Sequence, residues 1–542
     1  MYGLRHPITG HLHESATAAL VALLCLSAWP ASAQTDDGWG PEHQYNLSLK
    51  EIRQQRRQDK ERDSTELYQE TQFDFSTVAA YRSGHRLPFY MTSSQHGVLS
   101  PEHSQGYVRG QALYRVGRGK WNASAGADLI AYASSKSDYY SSNVYLQQLY
   151  ARINYSMYHF TLGAIEQQGE FVDPKLSSGN MIYSGNARPG IGLHVGMEKF
   201  ASMVICDNLL EGKIDVSWTR LTDGDYTEDF YHRYEVVHGK PSVHIDEDGV
   251  QHLERHITDA RQHARAGNTW IHHKSAFLRT KSTAHFFLTA GIEHSVMYAG
   301  KVNGVSNTQG GGWFRASVGS KGKTTSGYNH MLSYDFRGDL NFSKWKLGAY
   351  KQHYTDDMTG GLRDSGMDGL WGLELRLPRV HWLNHIVLEY LCTTNQSGVV
   401  YANDVYSYDN TLHPEAGNSN FYHDESYGPW ANYNMGLGNP LLMSPIYNDD
   451  YYPDYQSNMI RVVHIGLTGR IAGCVDYTLK AHRQESWGSP FAPYLKARHN
   501  TSAQLEVNYV TDHWQFSPAV ALDRGDLMGN NFGVQLQIIY EL

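Results

Sequence analysis

Between residues 532 and 542 the chain alternates. Phe532, Val534, Leu536, Ile538, Tyr540 and Leu542 share one face, while Gly533, Gln535, Gln537 and Glu541 share the other, with Ile539 the one exception. Successive side chains of a strand point to opposite faces, so this pattern predicts a strand with one oily side. Its length also suffices for a tilted strand to cross a bilayer. The same alternation recurs upstream. Phe73, Phe75, Thr77, Ala79 and Tyr81 oppose Gln72, Asp74 and Ser76; Trp121, Ala123, Ala125, Ala127, Leu129 and Ala131 oppose Asn122, Ser124, Gly126 and Asp128. Further segments begin at Ile214, Phe286, Trp345, Val463 and Leu505, with Lys213, Asp215, Lys344, Lys346, Arg470 and Glu506 on the polar side. A charged inner face is a poor core in water and the normal lining of a hydrated lumen. The expected fold class is therefore all-β, a transmembrane antiparallel β-barrel that closes on its last strand.

The connections differ sharply in length. Gly117-Arg118-Gly119-Lys120 suits a tight periplasmic turn, whereas residues 402–458, rich in Tyr, Asn, Asp, Gly and Pro, read as an extracellular loop. Residues 252–266 are charged and are expected to be helical, outside the membrane. At roughly 10 residues per strand plus loops, the chain after residue 66 accommodates some 16 to 18 strands. No internal repeat points to a solenoid or propeller.

Composition agrees with this architecture. The 542 residues include 38 Tyr and 51 Gly, only 19% are charged, and the net charge is −9 with both signs interleaved. That excludes a nucleic-acid footprint. The mean hydropathy of −0.51 is far too polar for a helical membrane protein, but a barrel exposes only every second strand residue to lipid. Residues 18–26 form a short apolar core followed by Ala31-Ser32-Ala33, so residues 1–33 read as a cleavable signal peptide. Leu24 before Cys25 is too bulky for a lipoprotein signal. Residues 34–66 read as a polar, helical periplasmic arm in which Ser48-Leu49-Lys50-Glu51 has capping-box spacing. Residues 67–542 make the barrel. Cys206, Cys392 and Cys474 are odd in number and widely spaced, which suits small apolar side chains rather than a disulfide framework or zinc site.

Several stretches carry a family likeness when taken in order: Ser177-Ser178-Gly179-Asn180, Ser184-Gly185-Asn186-Ala187-Arg188-Pro189, Ile271-His272-His273-Lys274-Ser275, Gly291-Ile292-Glu293-His294, Asn329-His330 before Ser333-Tyr334-Asp335, Asp368-Gly369-Leu370-Trp371-Gly372, Gln396-Ser397-Gly398 and Gly436-Leu437-Gly438-Asn439-Pro440. From about Pro88 to the C-terminus the chain resembles the Wzi-type capsule-assembly family of outer-membrane proteins. The resemblance implies a monomeric barrel of about 18 strands with periplasmic helices. It also implies a non-catalytic surface lectin that tethers exported capsular polysaccharide at the cell surface of a Gram-negative bacterium.

Glycan binding needs aromatic faces, planar hydrogen-bonding groups and, for uronic acids, arginine. Asn186 with Arg188, Asp368 with Trp371, and Trp430 in the aromatic stretch from Phe421 to Tyr433 have those chemistries and are the candidate glycan-binding residues. The same residues could shape turns, pack the lumen or, for Trp371, join an interfacial aromatic belt. His272 and His273 are adjacent, so on a strand they face apart and cannot chelate one ion together. Asp356, Asp357, Asp364 and Asp368 could serve glycoside hydrolysis only at a carboxylate separation that sequence cannot set. No catalytic residue, metal or other cofactor is implied. Expected partners are surface polysaccharide, outer-membrane lipid and a periplasmic or export-machinery protein on the arm. The alternatives are a diffusion channel for sugars or oligosaccharides and an outer-membrane hydrolase.

Overall fold

The computed structural model describes residues 67–542 apart from 136–143, 168, 170, 204–208, 246–250, 258–265, 282–284, 303–304, 307–328, 357–366, 397–418 and 425. The signal segment, the arm, Cys206, Asp357 and Asp364 lie outside the described residues.

Eighteen antiparallel strands form one closed sheet. They are β1 (Tyr68–Ser83), β2 (Gln105–Arg118), β3 (Trp121–Ser134), β4 (Val144–Tyr155), β5 (Tyr158–Ala164), β6 (Ile191–Met197), β7 (Leu210–Arg220), β8 (Trp270–Thr280) and β9 (Phe286–Tyr298). The circuit continues through β10 (Asn329–Asn341), β11 (Lys346–Asp356), β12 (Gly369–Arg376), β13 (His385–Cys392), β14 (Ile460–Ala472), β15 (Val475–Ser489), β16 (Ala492–Val510), β17 (Trp514–Gly525) and β18 (Asn531–Glu541). Each strand pairs with the next, and β1 pairs with β18, Phe75 opposite Tyr540 and Tyr81 opposite Val534. Closure leaves no unpaired edge, the condition for crossing hydrocarbon with strands. No helix among the described residues is long and apolar enough to cross a membrane.

The alternation read from sequence is the wall of the barrel. On β3, Leu129 is 49% exposed on the outer surface, whereas Asp128 and Ile130 face inward at 2% and 0%. On β18, Phe532, Val534 and Leu536 point out, and the exceptional Ile539 is buried inside. One end of the barrel has short turns, such as Gly119-Lys120 between β2 and β3, and both ends of the sheet circuit lie there. At that end aromatic pairs line the outer face: Trp121–Tyr155, Phe342–Trp345 and Trp514–Tyr540, each with ring centres 4.6 Å apart. Such a belt fits a membrane–water interface. The long loops emerge at the opposite end, which in outer-membrane barrels faces outward.

Two details depart from the sequence reading. Lys344 lies in the turn before β11 and is exposed there, because the strand begins only at Lys346. Residues Gln251–Ile257 form a strand, not a helix, paired with Gly239–Ile245. Residues 258–265 of the stretch expected to be helical lie outside the described residues. The helix lies just upstream. The two α-helices among the described residues, α1 (Phe89–Thr92) and α2 (Gly224–His238), both belong to long-loop-end connections. On α2, Phe230 and Tyr234 are buried at i, i+4 spacing.

Candidate functional site

Three connections do not stand clear of the barrel but fold back into it: residues 84–104, 165–190 and the described part of 393–459. What draws the second inward is a set of carboxylates and amides on the inner wall. Glu389 of β13 accepts from Ser177 Oγ at 2.5 Å, Ser178 N at 2.6 Å and Tyr350 OH at 2.6 Å. Asn180 donates to Glu293 of β9 at 3.2 Å and accepts from Gln352 of β11 at 3.0 Å. The Gln352 amide also donates to Asp335 of β10 at 3.1 Å.

The third connection then packs on the second. Asn439 donates to Gly179 O at 2.6 Å and Ser178 Oγ at 3.2 Å, Ser184 N donates to Leu437 O at 3.0 Å, and Tyr422 OH donates to Met181 O. A side chain at Gly438 would put its Cβ 2.3 Å from Tyr422 OH and 2.5 Å from Met181 O, so only glycine permits this approach. The stretches 177–180, 184–189 and 436–440 thus meet in one folded plug, anchored on Glu293, Asp335 and Gln352 of the wall. Its centre is aromatic: Tyr354 packs edge-on against Phe421 and Tyr422 at 4.8 and 5.3 Å, and Tyr422 against Tyr455 at 5.5 Å. The first connection is pinned by α1, where Tyr90 OH lies 2.9 Å from both His464 and His482.

Toward the short turns the lumen is lined by charge. Glu374 accepts from Arg337 at 2.7 Å, Arg376 at 2.6 Å and pairs with His385 at 2.9 Å, while Arg337 also holds Asp339. Asp173, Glu374 and His385 bring three potential ligand atoms within 4.8 Å of one another. Two guanidinium groups already neutralise that cluster, so its donor set is that of an ion-pair network rather than a metal centre. Between this network and the underside of the plug lies a polar cavity of about 440 Å³, lined by residues such as Asp173, Lys175, Arg376, Lys480 and Glu506.

The five candidate residues fall into three places. Asn186 (1% exposed) accepts from Ser94 N and donates to Gly436 O; Trp430 (0%) donates to Ile182 O at 3.0 Å; Asp368 (0%) accepts from the backbone N–H groups of Asn395 and Gln396. All three bind the plug together. Trp371 lies on the outward face of β12, its indole N–H on Met367 O at 2.9 Å and Lys351 Nζ 4.3 Å from its ring centre. Arg188 alone stands at the outer rim. Its guanidinium carbon is 4.1 Å from the Tyr145 ring centre and 5.0 Å from that of Tyr433. Tyr433 OH donates to Thr222 O at 2.7 Å, and its ring lies 5.5 Å from Tyr226 of α2. Tyr433 and Asn434 form the tip between two short strands, both with positive φ (54° and 55°). Asparagine tolerates that conformation, but a bulky tyrosine there is strained. Sequence reading missed Tyr145 and Tyr226; clustered tyrosines before β4 and in α2 were the available signal.

The Asp356 carboxylate, a candidate for hydrolysis, accepts from Tyr354 OH at 3.2 Å and Tyr422 N at 3.1 Å and is part of the plug. His272 and His273 do face apart: His272 stacks on Trp218 at 4.9 Å outside, and His273 bonds Ser295 Oγ at 2.7 Å inside. Near the rim, burial pushes the Asp223 carboxyl up to about 6, against hydrogen bonds from backbone N–H groups that favour its charged form.

No family model and no curated protein matches the sequence. Solved structures do match the fold. Wzi of Escherichia coli, described as an outer-membrane protein involved in group 1 capsule assembly and a carbohydrate-binding β-barrel, is 10% identical, with a TM-score of 0.51 over 97% of this chain and 91% of that one. OccK5 (OpdH) of Pseudomonas aeruginosa is 10% identical over 88% of this chain and 98% of that one, at a TM-score of 0.43. OccK11 (OpdR) of the same organism is 9% identical over 88% and 96%, at 0.42. At these identities the likeness extends to the fold, which is that of Gram-negative outer-membrane barrels.

Proposed function

We propose that this protein is a non-catalytic outer-membrane lectin that holds exported capsular polysaccharide at the cell surface. The observation that carries the reading is the plug. A diffusion channel for oligosaccharides needs a continuous polar path, and here the lumen is filled by loops whose core is aromatic and whose polar atoms bond one another. Ligand contact then falls to the outer rim, where Arg188 between Tyr145 and Tyr433 combines a bidentate donor for uronic carboxylates with ring faces for sugars. The description of Wzi as carbohydrate-binding and involved in capsule assembly supplies the ligand class. The polar cavity beneath the plug is what a channel reading would rest on.

The test is a deletion strain with capsular polysaccharide split into cell-bound and released fractions. The lectin reading expects total polymer to hold while the bound fraction collapses into the medium. In complementation, Arg188→Ala and Tyr433→Asn should each leave the barrel folded and lower retained polymer several-fold. Unchanged fractions, or steady single-channel conductance of the purified barrel, would overturn it.

A further inference from the structure

Along β17 the outward side chains run Trp514, Phe516, Pro518, Val520, Leu522 and then Arg524. Trp514 belongs to the aromatic belt at the short-turn end. Arg524 lies ten positions farther along the same strand. Ten residues of a strand tilted by about 40° climb about 25 Å, the height of a barrel's apolar band. Arg524 therefore stands where hydrocarbon ends on the long-loop side, which faces outward.

The two strands before it change character beside it. On β15 the outward Leu479 and Ala481 precede Arg483, and on β16 the outward Leu505 and Ala503 lead to Thr501. Arg483 pairs across to Thr501, and Thr501 to Arg524. At about 4.8 Å between strands, the two arginine backbones are about 10 Å apart, so both side chains can reach one small anion. Both arginines are exposed, and among the described residues neither guanidinium has an ion-pair or hydrogen-bond partner. The acids two positions beyond them are engaged with His499 of β16. Glu485 lies 3.7 Å from its ring nitrogen, and Asp526 accepts from its backbone N–H at 2.5 Å.

We infer that Arg483 and Arg524 together bind the phosphate of an outer-leaflet lipid, with the Thr501 hydroxyl as a third donor and an acyl chain lying on Ala503 and Leu522. Depth and charge complementarity select that occupant. A guanidinium forks two N–H groups onto phosphate oxygens. A lipid phosphate sits at the level of Arg524, directly above the apolar face that its own chain covers. The site is separate from the rim at Arg188 and from the plug.

The full-length protein, reconstituted in phosphatidylcholine nanodiscs with equal amounts of bisphosphorylated lipid A and its dephosphorylated form, tests this by native mass spectrometry of retained lipid. The wild type should retain the phosphorylated form about tenfold better. The double variant Arg483→Gln/Arg524→Gln should abolish that preference with an unchanged heat-shift on gels. Arg118→Gln, which removes an exposed cation at the short-turn end, should keep it. Equal retention of the two lipids by the wild type, a preference that survives the double substitution, or a preference lost equally in Arg118→Gln would each overturn the proposal.

Discussion

Toward the long-loop end the lumen is filled by rings, and toward the short turns it is filled by charge. Tyr354, Phe421, Tyr422, Trp430 and Tyr455 are each at most 2% exposed and pack around backbone that comes from loops. In the other half, Arg337, Asp339, Glu374, Arg376 and Asp173 belong mostly to strands and neutralise one another. The first region gains by removing apolar area from water. The second gains little net energy from its pairs, because desolvation offsets attraction, but it defines where the plug can rest. The wall closes through its own strand ladder, whereas the plug is anchored on Glu293, Gln352 and Glu389 of that wall. The two regions should therefore fail differently.

The sharpest break of that contrast is Trp430→Ala. It removes a fully buried indole and its bond to Ile182 O, and should loosen the plug by about 3–5 kcal/mol. Hydrogen exchange should report the loss in the plug alone, with ion conductance appearing; an equal loss across the strands would erase the distinction. Next comes Glu374→Ala, which strands Arg337 and Arg376 beside Asp339 and Asp173. Urea unfolding of the whole barrel should lose about 3 kcal/mol, and the double variant Glu374→Ala/Arg337→Met should recover part of it. Asn439→Ala leaves Gly179 O and Ser178 Oγ without their donor and should cost the plug about 2 kcal/mol in the same exchange measurement.

A pH effect belongs to neither half but to the rim. The folded Asp223 carboxyl is raised to about 6, above its unfolded value, because burial penalises its charge. Its neutral form therefore favours the folded rim: the contribution is complete below about pH 4 and is lost as pH rises through 6. Exchange protection of α2 should increase by about 1–2 kcal/mol from pH 7.5 to pH 5, and Asp223→Asn should flatten the profile. The smallest effect is Tyr433→Asn, which relieves a left-handed tyrosine and should stabilise the hairpin tip by about 0.5–1 kcal/mol. Opposite signs for stability and polymer retention in this one variant would mark Tyr433 as kept for binding.

The wall was readable because its cause is local. A strand with one face on lipid repeats every two residues, so β1, β3 and β18 declare themselves over a dozen positions, and even Ile539 stood out as the inward exception. The plug was not readable. Residues 402–458 look like any exposed loop, since Tyr, Asn, Gly and Pro suit both surface turns and a hydrogen-bonded interior. Asn186, Asp368 and Trp430 have the chemistry of sugar recognition and spend it on the chain's own backbone, a choice residue type does not encode. Arg188 has the same chemistry and stands at the rim, although its guanidinium also donates to Leu146 O at 2.9 Å.

By itself the sequence determined an all-β barrel, its lipid face, and the end on which long loops gather, because alternation and turn length act within a few residues. Only the tertiary structure decided that three connections fold back into the lumen, which candidate side chains remain at the rim, and that Lys351 meets Trp371 on the adjacent strand. Those outcomes depend on bonds between residues far apart in the chain, such as Ser178 with Glu389, 211 positions away. Such bonds become favourable only after the wall has brought their partners together and excluded water from between them.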